Sequence, residues 1–257
     1  MRRLSSPEFL ASVGSVVGGL ILWTVVVDSG LISTRFTPTP LEILQEFKVL
    51  LEDGYVGSPI YAHIAASLAR TLIGFSAAAI VGIPFGLLVG RVRFLEAAFM
   101  PWFAFLRPIP AIAFVPLVIL WFGIGEFSKI SVIFFSSFLY ITVSTIAGVK
   151  SVPVQIMRAG YSLGALDRKS FLYVILPAAL PQIMIGLRLG SAISWTLVVA
   201  AELVAAQRGL GYMIMDASTF FRVKDVYVGL ILIGIIGFLL ETIIATVEAR
   251  LVHWRGK

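Results

Sequence analysis

Long apolar runs alternate with short polar gaps along this chain. Residues 10–27 carry no charge, and further apolar runs cover about 65–90, 94–122, 130–149, 183–206 and 226–247. A helix needs about 20 mostly apolar residues to cross the ~30 Å of hydrocarbon in a bilayer. The pattern therefore predicts an all-α integral membrane protein with six transmembrane helices, forming one transmembrane domain over residues 1–257. Arg2 and Arg3 precede the first run as they would in a signal peptide. No small-residue cleavage site follows it, so the run is read as a retained helix.

The gaps carry local signals of their own. In the stretch 28–61, Thr39-Pro40 followed by Leu41, Leu44 and Phe47 predicts a short surface helix. The third run is interrupted by Pro101, Pro108, Pro110 and Pro116. Prolines at membrane depth persist only where protein or a water-filled cavity satisfies the freed carbonyls. The polar stretch 150–170 has room for a helix outside the bilayer, and 207–225 reads as a loop.

Composition sharpens this picture. The chain is 59% apolar and 13% charged, with a mean hydropathy of +0.99. Soluble domains are about 45–50% apolar and about 25% charged. The net charge of +6 is not gathered into a patch or arm, which argues against nucleic acid. With both termini in the cytoplasm, the inner segments hold Arg2, Arg3, Arg91, Arg93, Lys150, Arg158, Arg168, Lys169, Arg250, Arg255 and Lys257. The outer segments hold only Arg35, Lys48, Lys129, Arg208, Arg222 and Lys224, so the positive-inside rule selects this orientation. Cysteine is absent and His63 and His253 are the only histidines, which disfavours a metal site. No phosphate-binding G-x-x-x-x-G-K-[ST] loop is present, so any ATP hydrolysis belongs to another chain. An ion-coupled secondary transporter would need intramembrane acids for a relay, and a membrane enzyme would need a catalytic cluster; the sequence offers little for either.

The most informative stretch runs from Arg158 to Glu202. Small residues at Ala159, Gly160, Gly164 and Ala165 precede the charges Asp167, Arg168 and Lys169; Leu176-Pro177 and Pro181 then lead into the fifth span. This reads as a short cytoplasmic helix, a sharp turn and a membrane re-entry. Gly160 and Gly164 lie four apart, hence on one helical face, where another protein can approach closely.

With Gly164, Ile175-Leu176-Pro177, Gly186-Leu187-Arg188 and Ala201-Glu202 in order, the stretch resembles the EAA loop of ABC import permeases. Arg158-Ala159-Gly160 stands where that family has Glu-Ala-Ala, so position 158 offers a base in place of the family's acid. Leu106-Arg107-Pro108-Ile109-Pro110, Leu120-Trp121-Phe122-Gly123-Ile124-Gly125-Glu126 and Gln207-Arg208-Gly209-Leu210-Gly211-Tyr212 are similar to the nitrate, sulfonate and taurine branch, nearest its taurine permeases.

The resemblance implies the type I ABC importer permease fold and a place in the cell inner membrane. It implies a coupling helix within about 158–170, with Arg158, Ala159, Gly160, Leu163, Gly164, Ala165, Leu166, Asp167 and Arg168 against the ATPase subunit. The partners it implies are two copies of that subunit, which bind ATP and magnesium, a second permease copy, and a periplasmic or lipid-anchored substrate-binding protein. The chain itself would carry no cofactor. The implied solute is a small anion, taurine or another alkanesulfonate first, with nitrate, bicarbonate, an aromatic carboxylate or a vitamin precursor as alternatives.

Ionisable groups at membrane depth are costly and mark function or a pair. Arg107 lies 14 residues beyond Arg93, roughly 20 Å along a helix, beside Pro108 and Pro110. It either lines the translocation path and favours anions or caps carbonyls freed at the proline break. Pro108, Trp195 and Glu202 are the other path candidates. Ion pairs are expected between Arg188 and Glu241 and between Arg70 and Glu202; Trp195 equally fits a packing role.

Overall fold

The computed structural model describes residues 7–30, 32–33, 35–163 and 168–254, and among these every regular element is helical. In chain order they are α1 (Pro7–Asp28), α2 (Pro40–Glu52), α3 (Ile60–Arg91), α4 (Arg93–Leu106), α5 (Phe114–Phe122), α6 (Glu126–Lys150), α7 (Val154–Ser162), α8 (Arg168–Ser170), α9 (Leu176–Ala205), α10 (Leu210–Thr219) and α11 (Val223–Leu251). A 3₁₀ turn, Ala111–Ala113, precedes α5, and a π turn, Phe171–Ile175, joins α8 to α9. Among the described residues, five helical stretches are long and apolar enough to cross a membrane. The sixth crossing candidate is a broken one: Arg93–Leu106 and Ala111–Phe122 meet at 87°. The break falls at Pro108 and Pro110, which cannot donate to a helical ladder.

Two boundaries differ from those the hydropathy suggests. The fourth span begins at Glu126, four residues before the apolar run, because Glu126 and Lys129 find partners at its end (below). The fifth starts at Leu176, and Ile175-Leu176-Pro177 is helical, not a sharp turn. Pro177 follows directly on the π turn, at the point where its ring and missing N–H disturb the i→i−4 ladder. The chain is still helical without a gap from Arg168 to Ala205. The stretch 207–225 holds α10 as well as loop.

The chain packs as two compact units, the first taking residues up to His63 with Met213–Ile233 and the second Ile64–Tyr212 with the chain from Gly234 on. In the first unit, α2 opens as the sequence indicates. The Thr39 side chain accepts from the Glu42 N–H at 3.3 Å, and Glu42 Oε2 accepts from the Thr39 N–H at 2.9 Å. This reciprocal cap satisfies two orphan donors. Lys224 adds an ion pair to Glu42 at 3.1 Å. Thr39 and Lys224 together hold the Glu42 carboxyl below its ordinary range. Tyr55 is buried and donates its hydroxyl to Asp216 Oδ2 at 2.7 Å; burial first, then that bond, push the phenol well above its ordinary value.

The second unit is built around α6. Four glycines on α3 let it approach closely: a Cβ added at Gly74 would come within 2.7 Å of Ile133, at Gly86 within 2.7 Å of Thr145, and at Gly90 within 2.9 Å of Val149, with Gly82 against Thr142 at 3.1 Å. On α9, Gly186 and Gly190 do the same against Ser144 and Ile141. Small residues at such seams replace the hydrophobic drive that lipid removes. Polar side chains in the seams are satisfied locally. Ser137 and Ser194 share a hydrogen bond at 2.6 Å, and Ser136, Thr145 and Ser194 donate to carbonyls four residues back.

Candidate functional site

The segment between the fourth and fifth spans holds α7. Pro153, in extended conformation, leads into it and presets its first turn. Arg158, Ala159 and Leu163 are exposed, Leu163 at 87%. Ile156 and Tyr161 add exposed apolar surface on the same short helix. Gly160 behaves otherwise: it is buried, and a Cβ there would meet Val174 of the π turn at 3.0 Å. Its smallness serves packing inside the chain, a correction to the expectation that it faces a partner. Gly164, Ala165, Leu166 and Asp167 lie outside the described residues; Arg168 opens α8, which runs on into α9.

The path candidates separate. Arg107 caps the C-terminus of α4 at the 87° bend, and both it and Pro108 are exposed. Among the described residues Arg107 has no carboxylate within ion-pair distance. It borders a largely apolar cleft of about 370 Å³ with Phe103, Ile109, Trp121, Phe135 and Tyr140. Trp195 is 7% exposed, and a Cβ at Gly237 would lie 3.0 Å from its ring, so it packs tightly against α11.

Glu202 is enclosed rather than presented to a path. Its side chain is fully buried and bound on all sides: Arg70 Nη1 at 2.6 Å, Ser67 Oγ at 2.9 Å, and the Gly211 N–H at 2.9 Å. Gly209 lies so close that any side chain there would collide with the carboxylate. Arg70 also forks onto Glu126, Nε to Oε2 at 2.5 Å and Nη2 to Oε1 at 2.8 Å, and donates to the Arg208 carbonyl. Lys129 joins at 3.0 Å from Glu126 Oε1. The expected Arg70–Glu202 pair is thus present, and so is Arg188–Glu241 at 2.9 Å. Sequence reasoning missed Ser67, Glu126 and Lys129 as members of the network. Ser67 lies one helical turn before Arg70, and Glu126 and Lys129 are one turn apart at a helix start, a spacing that was there to be read.

Residues 82–253 match the family described as binding-protein-dependent transport system inner membrane component. The chain belongs to this family. The permease is 39% identical over 253 residues to the taurine transport system permease protein of Escherichia coli (strain K12), a match covering 98% of this chain and 92% of that protein. It is 33% identical over 252 residues to the nitrate import permease protein of Synechocystis sp., covering 96% and 90%. Among solved structures it is similar to a chain of the MetNI methionine ABC transporter, with a TM-score of 0.65 at 19% identity, over 75% of this chain and 95% of that one. The permease therefore has the type I ABC importer permease fold and stands in the nitrate, sulfonate and taurine branch. It is a multi-pass inner-membrane protein and the permease subunit of an ABC importer, which works with ATPase subunits and a substrate-binding protein.

Proposed function

We propose that this permease forms the translocation path for a small organic sulfonate, taurine first, with its termini in the cytoplasm and the whole chain acting as one transmembrane domain. Two copies pair, each gripped by one copy of a separate ATPase that holds ATP and magnesium. A periplasmic or lipid-anchored protein delivers the solute. The chain itself carries no cofactor and performs no chemistry on its cargo. Its residues transmit motion.

The observation that best supports an anionic cargo is Arg107, exposed at the proline break with no carboxylate partner among the described residues. A guanidinium there attracts monoanions and matches their oxygens as a fork. The apolar walls beside it suit a small carbon chain. Pro108 keeps the bend open at that point. Trp195 and Glu202, being enclosed, are read as structural supports of the path and not as contacts to the solute.

The drive enters through the coupling segment at about 158–170, where Arg158, Ala159 and Leu163 meet the ATPase. Gly164, Ala165, Leu166, Asp167 and Arg168 continue that contact in this reading. ATP-driven closure of the ATPases moves α7, and the unbroken helical path from Arg168 to Ala205 passes the motion to α9 as a rigid body. Because α9 and α6 are packed to contact through Gly186 and Gly190, the two spans move together.

The test is uptake by the reconstituted importer with its binding protein. Labelled taurine should accumulate with ATP and be displaced by other alkanesulfonates, and Arg107→Gln should cut uptake about tenfold or more, the loss of one charge-assisted contact. Tight binding of nitrate or a carboxylate by the binding protein, with no sulfonate bound, would overturn the substrate. Unchanged uptake and solute preference in Arg107→Gln would remove Arg107 from the path.

A further inference from the structure

Arg70 serves two carboxylates of opposite character. Glu202 is fully buried and further fixed by Ser67 and the Gly211 N–H, so it is a permanent counter-ion. Among the described residues Glu126 is held by Arg70 and Lys129 alone, and its side chain is 59% exposed, whereas those of Arg70 and Lys129 are 7% and 6% exposed. The side of the cluster that Glu126 covers opens into a cleft of about 470 Å³, bordered also by Gln207 and Arg208. That volume is in the range of small-molecule sites.

The charges decide what the cleft can take. Arg70 and Lys129 bring two positive charges and Glu202 one negative. With the Glu126 side chain turned away, two nearly buried cations share one anion, which leaves a net charge of +1 in the buried cluster, and exposed Arg208 at the rim adds to the positive field. A buried cation short of a partner is costly, so the vacancy selects a monoanion. The donor geometry narrows the class. Three donors, Arg70 Nε, Arg70 Nη2 and Lys129 Nζ, converge on the two oxygens of Glu126. Two of them crowd onto Oε1. A sulfonate or nitrate, with three oxygens, gives each donor its own acceptor.

We propose that Arg70 and Lys129 form an anion seat at the Glu126 end of α6, occupied by the Glu126 side chain in this structure and taken over by a small three-oxygen monoanion. It is separate from Arg107. Glu126 then swings into the solvent, where its carboxylate is easily hydrated. The seat lies at the end assigned above to the outer face, where a delivered solute first meets the permease. The inference rests on the anion-import reading for its ligand class alone.

An internal carboxylate competes as a tethered ligand at millimolar or higher effective concentration, so it lowers the apparent affinity for a free anion. The permease with its ATPase subunit, in lipid nanodiscs, is titrated with sodium methanesulfonate against sodium chloride at constant ionic strength, with calorimetric binding and melting temperature as readouts. Glu126→Gln should bind methanesulfonate about tenfold tighter than the wild type and should gain melting temperature from it where the wild type gains none. Lys129→Gln added to Glu126→Gln should abolish that gain. Glu126→Asp keeps the charge, and with it the fold, but shortens the tether; it should show a smaller gain in affinity. Wild-type affinity in both Glu126 variants overturns the seat, as does undiminished binding in the double variant. Taurine uptake with no gain in any variant discards the seat and keeps the sulfonate reading. A gain seen with nitrate, in an importer that carries no sulfonate, does the reverse.

Discussion

Gly186 of α9 lies over Ser144 of α6 so closely that a Cβ on the glycine would stand 2.6 Å from that of the serine, well inside van der Waals contact. The two backbones are thus at their limit of approach, and the seam cannot take another atom without moving apart. Gly186→Ala should destabilise the permease by about 1–3 kcal/mol through overpacking, and Gly186→Leu by more. Melting of the detergent-solubilised chain measures this. The paired change Gly186→Ala with Ser144→Gly should restore most of the loss, and failure to do so would place the strain elsewhere.

The Arg70–Glu202 pair poses a different balance. Both groups are buried, so their attraction offsets a large desolvation cost; removing Arg70 leaves Glu202 charged and stranded, whereas removing Glu202 leaves Arg70 still forked onto Glu126. Arg70→Met should cost about 3–5 kcal/mol, because Glu202 is then buried without a counter-ion. The double change Arg70→Met with Glu202→Leu should cost much less than the sum of the singles, because no charge remains buried unpaired. Additive losses in a double-mutant cycle would mean that the two side chains act independently.

Both seams bear on how much the sequence reveals. The membrane spans were legible because lipid imposes one rule on every stretch of 20 residues, and the Arg70–Glu202 and Arg188–Glu241 pairs followed because a charge at depth needs a partner. The bend at Pro108 and Pro110 was legible as a break, but its 87° angle depends on what packs on either arm. The repeat Gly82, Gly86, Gly90 is a readable stripe with four-residue spacing, yet only α6 shows what it faces. In the sequence Gly160 marks an outward surface, because a lone helix face has no label for inside; Val174, fourteen residues on, decides that it packs within the chain. Glu202 could be placed at depth, but not told apart as enclosed or path-lining until Ser67 and Gly211 were seen around it.

The segment that holds α7, proposed above as the contact to the ATPase, yields a prediction about exposed apolar surface. Leu163 is 87% exposed at the end of α7, and Val154, Ile156 and Tyr161 leave further apolar surface of that helix exposed. Water penalises that arrangement unless a partner covers it. Leu163→Asp should leave the melting temperature of the permease alone nearly unchanged, within about 0.5 kcal/mol. It should weaken ATPase association by about 2 kcal/mol or more, as loss of a central apolar contact does, and uptake should fall with it. Pull-down of the ATPase at graded salt separates this from a charge effect. Equal recovery of ATPase by wild type and variant would sink the assignment of Leu163 to the contact.

Glu42 links α2 to the pH of its surroundings. Its carboxyl is held below the ordinary carboxylate range, first by the Thr39 N–H and then by Lys224. A carboxyl with a lowered pKa in the fold stabilises it fully above the unfolded value, about 4.3 for glutamate. That contribution is lost as pH falls from there through the lower folded value. The unfolded α2 binds the proton more readily, so acid favours opening. Hydrogen exchange of the first α2 turn, corrected for its intrinsic pH dependence, should therefore show protection falling as pH drops below about 4.3. Glu42→Gln removes the titration, and the profile should flatten while protection at neutral pH declines. Thr39→Ala should cost about 1 kcal/mol of local stability at neutral pH, since it deletes the other half of the cap. Because Glu42 Oε2 takes its bond from the Thr39 backbone and not from the hydroxyl alone, Thr39→Ala should keep most of the pH dependence. A pH profile that survives in Glu42→Gln would assign the titration to another group.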